Sequence, residues 1–443
     1  MQKVPIWRLA PAVLILVILG LFAGPVFGEV DGATDADFVF EICNNLESNY
    51  YDPEAIQYPA LLNQALMGVA DILKKGGADF IFKTIPDSAG KETAKNLFRQ
   101  KMEKAAIFAQ TKGGFQENDL AFAAAARLLE SLKSSHTGFL TPEENQERMS
   151  ELSGRNSFVG VGMMIEALED DFIYIRHVFD GAPAQKAGLQ RFDRIIAVDG
   201  KAITKDLKEV VSWIRGKPGE VVTITVERQR QRLEFKIKRA GITAPTFNGK
   251  VLEENGKKIG YLALYGFNEG ASGLVKDFLL QNNAIDGWIL DLRGNPGGYV
   301  DELMSITEYF LPAKTLVFYS KDKQSKKDYY TNDENIPLTK KSVIVLIDKG
   351  SASASEITAG GLKDSQRAII VGVNSAGGTE VGVQQLLSRG AAMSVAIKQV
   401  FTPKGLNIEN NGIPPDEEVK MTKEDILQNK DKQLGKALEM LSK

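Results

Sequence analysis

The spacing of apolar residues over residues 35–150 is that of amphipathic helices. Apolar side chains recur every three or four positions, and strong helix formers fill the positions between them. Breaks that contain glycine separate the periodic stretches, which read LLNQALMGVADILKK, AKNLFRQKMEKAAIFAQ and DLAFAAAARLLESLKSS. The pattern predicts an N-terminal helical region over residues 35–150.

The apolar period changes to two between residues 155 and 240. Short β-branched runs that end in turns read FVGVGMMIEAL, FIYIRHVF, DRIIAVDG and EVVTITVERQ. Two short helical stretches, GAPAQKAGL and DLKEVVSWIRG, lie among them. We expect a separate, mainly β domain over residues 155–240.

Strands and helices alternate from residue 241 onwards. The strand-like stretches KIGYLALYGF, GWILDLRG and KSVIVLID are each followed by a helical stretch. Apolar strands that alternate with helices are typical of a mostly parallel sheet covered by helices. The pattern predicts an α/β core over residues 241–425 and a C-terminal helix over residues 426–443.

The first 28 residues have the pattern of a signal peptide. Lys3 and Arg8 precede the apolar run APAVLILVILGLFAG, and small or aliphatic residues surround a cleavage point after Gly28. An alternative is an uncleaved membrane anchor over residues 9–28. Both interpretations predict an exported protein, periplasmic or extracellular.

Composition excludes several classes of function. Hydrophobic residues make up 43% and charged residues 25%, as in soluble globular proteins. The net charge of -3 provides no basic surface for nucleic acid. One cysteine and two histidines offer no metal-ligand spacing, and GNPGG lacks the Lys-Ser/Thr of a phosphate-binding loop. We therefore expect no metal and no cofactor.

The stretch DKGSASASEI carries the candidate chemistry. An apolar strand ends near Gly350 and a helical stretch follows, so the serines lie at a helix N-terminus, which stabilises negative charge. A serine there can be a nucleophile, with the next backbone N–H available for an oxyanion. The alternative is that these serines only cap the helix.

Three motifs together resemble those of the carboxyl-terminal processing peptidases and their tricorn-type relatives. They read DLRGNPGG, GSASASEITAGGLKD and FTPKGLNIENNGIPPD, and the resemblance covers about residues 130–420. It implies a parallel-sheet core of the ClpP/crotonase type and a serine endopeptidase whose nucleophile is Ser353. The oxyanion donors would be the N–H of Ala354 and that of Gly297 or Gly298.

The segment 155–240 resembles a PDZ domain inserted before this core. Its signature is GAPAQKAGLQRFDRIIAVDGKAI, preceded by the loop FVGVGM. The resemblance implies that an extended peptide adds to a sheet edge and that Val159, Gly160, Val161 and Gly162 hold its terminal carboxylate.

The general base of the processing branch is missing. That branch uses a lysine whose position corresponds to Gly378, counted from Ser353, or to Glu380, counted back from Gln384. The stretch SAGG resembles instead the tricorn-like branch, which uses histidine. That resemblance implies His136 as the base, with Ser135 and Glu409 as its partners; an imidazole is a suitable base at neutral pH.

Alternatives remain at this stage. A displaced lysine, Lys398, is a second candidate base, and Glu409 could be a plain loop carboxylate. His177 is expected at the surface or in the PDZ groove, and Asp291 with Arg293 as a strand-end ion pair.

The preferred hypothesis is an exported serine endopeptidase that cleaves C-terminal or unstructured protein segments. Its partners would be peptide substrates, and the long helical region could serve a homo-oligomer. The competing class is an inactive peptide-binding adaptor of the same fold.

Overall fold

The computed structural model describes residues 16–17, 34–77, 79–153, 157–168 and 172–443. The predicted leader therefore lies outside the described residues, except for Leu16–Val17, a two-residue strand (β1) that pairs in parallel with Val381 and Gly382. Within these ranges, none of the helices combines the length and apolar character that crossing a bilayer requires.

The N-terminal region consists of four helices, a short strand and a fifth helix. They are α1 (Asp35–Asn49), α2 (Tyr58–Lys75), α3 (Lys91–Lys112), α4 (Asp119–Glu130), β2 (Gly138–Leu140) and α5 (Pro142–Leu152), with a 3-10 turn at Pro53–Ala55. Phe38 and Leu62 are buried in a core that extends to Met393 and Val395. The helices thus pack on a sheet formed by the C-terminal part of the chain.

A unit with a six-stranded antiparallel sheet, one further short strand and two short helices follows. Its elements are β3 (Ser157–Gly160), β4 (Met163–Leu168), β5 (Phe172–Val178), α6 (Pro183–Ala187), β6 (Arg194–Val198), β7 (Lys201–Ala202), α7 (Leu207–Ile214), β8 (Val221–Arg228) and β9 (Gln231–Lys238). The order is β4-β5-β6-β8-β9, with β7 beside β6, so β4 is an edge strand. β3 pairs instead with β10 (Ala240–Thr243), which joins the two ends of this unit.

The core sheet has the order β11-β12-β13-β16-β17-β20, and all its neighbours are parallel except β11 with β12. Its strands and helices are β11 (Phe247–Glu254), β12 (Lys257–Leu264), α8 (Ala271–Gln281), β13 (Gly287–Asp291), α9 (Val300–Glu308), β16 (Ser342–Ile347), α10 (Ala354–Asp364), β17 (Ala368–Gly372), β20 (Glu417–Glu418), α11 (Lys423–Leu427) and α12 (Lys432–Ser442). Helices α8, α9 and α10 cover one face and α12 the other. The predicted α/β fold class is confirmed.

A second sheet packs against α10 and the N-terminal helices. It has the order β1-β18-β19-β14-β15, and β2 pairs with β19. Its strands are β14 (Leu316–Lys321), β15 (Lys326–Tyr330), β18 (Glu380–Leu386) and β19 (Ala392–Phe401), with a 3-10 turn at Ser388–Gly390. Because β2 joins this sheet, the residues just before it are brought to the start of β18.

Candidate active site

Ser353 lies in the turn that connects β16 to α10. Its φ of 55° falls in a region that residues with a side chain rarely adopt, and such strain is common at active sites. The residue is fully buried, and Ala354 after it is the first residue of α10. The hydroxyl is therefore held at a helix N-terminus, as the sequence pattern predicted.

The ring of His136 faces this hydroxyl. His136 Nε2 is 3.5 Å from Ser353 Oγ, and His136 Nδ1 is 2.7 Å from Ser135 Oγ. The Ser135 hydroxyl donates to Glu409 Oε2 at 2.7 Å, and its backbone N–H donates to Oε1 at 3.2 Å. The fold thus brings together Ser353, His136, Ser135 and Glu409, which come from three distant parts of the chain.

The contacts of Ser135 bear on the tautomer of His136. Since the Ser135 hydroxyl donates to Glu409, its lone pair is free to accept a hydrogen bond from Nδ1–H, which leaves Nε2 as the acceptor that faces Ser353. The backbone N–H of Glu380, 3.3 Å from the same Nδ1, favours the other tautomer. The Ser135 contact is the shorter of the two, so the hydrogen-bond network assigns the proton to Nδ1.

Burial sets the charge states of these groups. Desolvation, with a smaller effect from Arg148, lowers the pKa of His136 to about 3. Burial also raises the pKa of Glu409, against the hydrogen bonds it accepts from Ser135 and Thr379. The imidazole is therefore neutral at pH 7, and the same burial disfavours its protonated form.

Glu356 organises the loop that faces the serine, and the sequence analysis did not single it out. It is fully buried on the first turn of α10 and accepts five hydrogen bonds, from the N–H groups of Ser353, Gly377 and Gly378 and the hydroxyls of Ser375 and Thr379. A glutamate three residues after a serine, at the start of a helix, was the available signal.

The glycine loop at residues 294–298 contacts the start of α10. The carbonyl oxygen of Asn295 accepts from Ala352 N–H at 3.1 Å and from the Ser355 hydroxyl at 2.8 Å. The N–H of Gly297 donates to Asn295 Oδ1 at 2.8 Å, whereas among the described residues the N–H of Gly298 has no acceptor. Of the two predicted oxyanion donors on this loop, the geometry favours Gly298 and not Gly297.

The PDZ loop residues form the start of the inserted domain. Val159 and Gly160 belong to β3 and pair with Gly241 and Ala240. The carbonyl oxygens of Val161 and Gly162 accept from Ala184 and Phe179. β4, which follows directly, leaves one edge available for an added strand.

The structure does not bring Lys398 to the serine. Its amine is 2.6 Å from Ser325 Oγ and 3.3 Å from Asp322 Oδ2. Lys398 pairs with Val381, and neighbouring residues of a strand point to opposite faces, so the amine lies across the sheet from Glu380. The alternative of a displaced lysine base is wrong for this reason.

Two other expectations can be compared with the structure. Arg293 Nη2 is 2.6 Å from Asp291 Oδ2, which confirms the predicted ion pair. His177 was expected at the surface or in the groove. Its ring is half-buried instead, with its centroid 5.0 Å from that of Tyr265 in the core domain.

Comparisons with known proteins identify two families in the chain. Residues 258–419 match the profile of peptidase family S41, and residues 174–228 match that of the PDZ domain. A carboxyl-terminal-processing protease of Picosynechococcus sp. is 32% identical over 328 residues, which are 73% of this chain and 77% of that protein.

Two further proteins illustrate the range of the likeness. A probable CtpA-like serine protease of Staphylococcus aureus is 33% identical over 306 residues, 68% of this chain, and the chain spans 60% of that relative's length. The solved structure of a photosystem II D1 C-terminal processing protease superposes with a TM-score of 0.56 at 20% identity, over 93% of this chain and 98% of that one. This last likeness concerns the fold alone. The chain belongs to peptidase family S41 and is a serine peptidase of the carboxyl-terminal-processing group with a PDZ domain.

Proposed function

We propose that this protein is an exported endopeptidase that cleaves C-terminal or unstructured segments of other proteins, with Ser353 as nucleophile and His136 as general base. The observation that carries the proposal is the chain of contacts from Ser353 through His136 and Ser135 to Glu409. His136 lies beside the hydroxyl whose proton it would take, and Ser135 and Glu409 lie beside the ring whose positive charge they would stabilise, as in other serine peptidases.

The reaction follows from these positions. His136 Nε2 takes the proton of Ser353 Oγ as the oxygen attacks the scissile carbonyl carbon, and the carbonyl oxygen becomes an oxyanion. The N–H groups of Ala354 and Gly298 stabilise that oxyanion. The imidazolium gives its proton to the leaving amine, and water then hydrolyses the acyl-enzyme by the same route in reverse.

Ser135 and Glu409 act on the base. When Nε2 gains a proton the ring is positively charged, and the Glu409 carboxylate stabilises that charge through the Ser135 hydroxyl. The same two contacts keep Nδ1 protonated in the resting state. Glu409 is thus proposed as an orienting group and not as a plain loop carboxylate.

Access to the serine requires a movement. Ser353 and His136 are both fully buried, so no peptide bond can reach them in this conformation. A peptide could bind along the free edge of β4, with its terminal carboxylate held by the Val159–Gly162 loop. The C-terminus of a substrate would then be bound to the PDZ domain, and the movement would open the way to Ser353.

Cleavage of a folded reporter with an unstructured C-terminal tail tests the proposal. We expect the wild type and Lys398→Ala to shorten the reporter, and Ser353→Ala and His136→Ala to leave it intact. Binding of the tail by the wild type without turnover would favour the inactive adaptor. Detection of the tagged full chain outside the cytoplasm tests export, and a cytoplasmic chain would contradict it.

A further inference from the structure

Three side chains that could bind a metal ion lie together, and the proposed base, His136, is one of them. His136, Glu380 and Glu409 are all buried, and one ligand atom from each lies within 4.8 Å of the others. His136 precedes β2, Glu380 is the first residue of β18, and Glu409 follows β19. The spacing of histidine and cysteine in the sequence predicted no metal site. The fold, however, brings two carboxylates to one histidine.

Glu380 supplies an independent sign that a ligand belongs here. It is fully buried, and its Oε1 has no hydrogen-bond partner, while Oε2 accepts from the Ser134 hydroxyl at 2.5 Å. The Tyr51 hydroxyl is close enough to the Glu380 carboxyl to lower its pKa as a hydrogen-bond donor, but among the described residues no donor lies within 3.5 Å of Oε1 in hydrogen-bonding geometry. A buried carboxylate oxygen without a partner is rare in a folded protein.

The surrounding charges are mostly negative. Glu356 is close enough for its charge to act on Glu409, and Glu409 is close enough for its charge to act on Glu380. Arg148 is the cation whose charge reaches His136. Three buried carboxyl groups with so little compensation attract either protons or a cation.

We propose that His136, Glu380 and Glu409 bind one divalent transition-metal cation of the Zn²⁺ type, and that the bound ion reversibly inhibits the peptidase. One imidazole nitrogen with two carboxylate oxygens is a ligand set that such ions accept. At ligand distances of roughly 2.0–2.2 Å and tetrahedral angles, neighbouring ligand atoms are about 3.4 Å apart. The three ligand atoms lie within 4.8 Å of one another, so the side chains must move closer together when the ion binds.

Inhibition follows whichever nitrogen binds the ion. An ion on Nδ1 leaves the single proton of the neutral ring on Nε2, which then cannot accept the proton of Ser353. An ion on Nε2 takes the place of the serine contact itself. This part of the inference rests on the proposed function, whereas binding of the ion does not.

Zinc binding by the full-length Ser353→Ala protein, stripped with a chelator beforehand, tests the site without any activity. We expect titration calorimetry to show one Zn²⁺ per chain, and an increase in Tm because the ion binds the folded state. Adding Glu380→Gln or His136→Ala should weaken binding at least tenfold. Glu418→Gln, which alters an exposed carboxylate, is the matched control and should bind as tightly as the parent.

Inhibition is measured on the active protein. Zn²⁺ should suppress reporter cleavage by the wild type, EDTA should restore it, and Glu380→Gln should require at least tenfold more Zn²⁺ for the same inhibition. Absence of stoichiometric binding, or binding that survives both Glu380→Gln and His136→Ala, would overturn the site. An inactive wild type that still binds Zn²⁺ through these residues would contradict the proposed function and leave the site standing.

Discussion

Ser135 is the residue that connects Glu409 to the proposed base, His136. Its hydroxyl lies 2.7 Å from both Glu409 Oε2 and His136 Nδ1. A serine is short enough to stand between a carboxylate and an imidazole, and its hydroxyl can donate to one and accept from the other. The arrangement makes the tautomer of His136 depend on a single hydroxyl.

Replacing this hydroxyl tests its role. We expect Ser135→Ala to lower kcat on the order of 10²–10⁴-fold, because loss of the group that orients a catalytic imidazole has effects of that size. KM should change little, since Ser135 does not contact the peptide in the proposed mechanism. Ser135→Thr keeps the hydroxyl and should restore most of kcat, and a kcat of Ser135→Ala equal to that of the wild type would contradict the role.

The residues of the site differ in how well sequence could predict them. Ser353, His136, Ser135 and Glu409 were each proposed from a local motif, and the fold places them in contact. Glu380 was met only as the position of a missing lysine. Its carboxyl gains its environment from Ser134 and from Glu409, which are remote in sequence, so burial without a partner could not be foreseen from neighbouring residues.

The glycine loop after β13 takes part in the proposed mechanism through its backbone, because Gly298 is a proposed oxyanion donor. At Gly298, φ is 146°, and a Cβ would lie 2.3 Å from the carbonyl oxygen of Phe267. No other residue fits without moving this backbone, which explains why glycine follows the strand here.

The corresponding prediction concerns the oxyanion donor. Gly298→Ala should displace the loop and lower kcat by about 10²–10³-fold, the range for losing one such donor. Gly273→Ala is the matched control, because Gly273 lies in α8 and an added Cβ would meet no neighbouring group within 4 Å, so it should retain full kcat. Circular dichroism identifies whether the variant is folded, and a folded Gly298→Ala with normal kcat would contradict the assignment.

The loop over residues 375–379 depends on the first turn of α10. It has no strand or helix of its own, and Glu356 accepts hydrogen bonds from four of its residues. Replacing one carboxylate oxygen by an amide N–H₂ would turn it toward groups that themselves donate. At least two buried donors would then lose their acceptor.

We therefore expect Glu356→Gln to lower the free energy of unfolding by on the order of 2–5 kcal/mol. Chemical denaturation of the variant beside Glu418→Gln, an exposed control, measures the difference. A stability within error of the control would show that another group holds the loop in place.

Element prediction succeeded where periodicity is local and failed where pairing is long-range. The helical stretches and the apolar strands of the core were visible in the sequence. The second sheet was not predicted, because β14 pairs with β19 across a long stretch of chain and β2 joins β19 from the N-terminal region; only β18 and β19 are neighbours in sequence. It is this sheet that carries His136 to Ser353.

At the scale of the whole molecule, the C-terminal segment ties the PDZ domain to the core. Asp431, before α12, accepts from Arg293 of the core at 2.9 Å and from Arg191 of the PDZ domain at 2.8 Å. Ile426 of α11 is buried against Phe172 and Phe192 of the PDZ domain. Such contacts join surfaces with no sequence signal of their own and were not predicted.

The charge cluster at Asp431 predicts a pH dependence of stability. Despite burial, the charges of Arg293 and Arg191 hold the pKa of Asp431 well below its usual range. A lowered pKa in the folded state means that the contribution is complete above about pH 4, the value in the unfolded chain, and is lost as the pH falls further.

Removing the charge should remove part of that dependence. Asp431→Asn leaves Arg293 buried with one carboxylate fewer, and we expect it to lower the free energy of unfolding at pH 7 by about 3–5 kcal/mol. As the pH falls below about 4, the wild type should lose more stability than the variant. Parallel curves for the two proteins, measured by denaturant titration at each pH, would contradict this account.

Covalent labelling of the serine tests the central claim most directly. A fluorophosphonate requires both a nucleophilic hydroxyl and a base, so intact-mass measurement and peptide mapping report on Ser353 and His136 together. The account predicts one adduct on Ser353 in the wild type and in Lys398→Ala, none in Ser353→Ala, and labelling slowed on the order of 10²-fold or more in His136→Ala. An adduct on another residue, or wild-type labelling by His136→Ala, would contradict it.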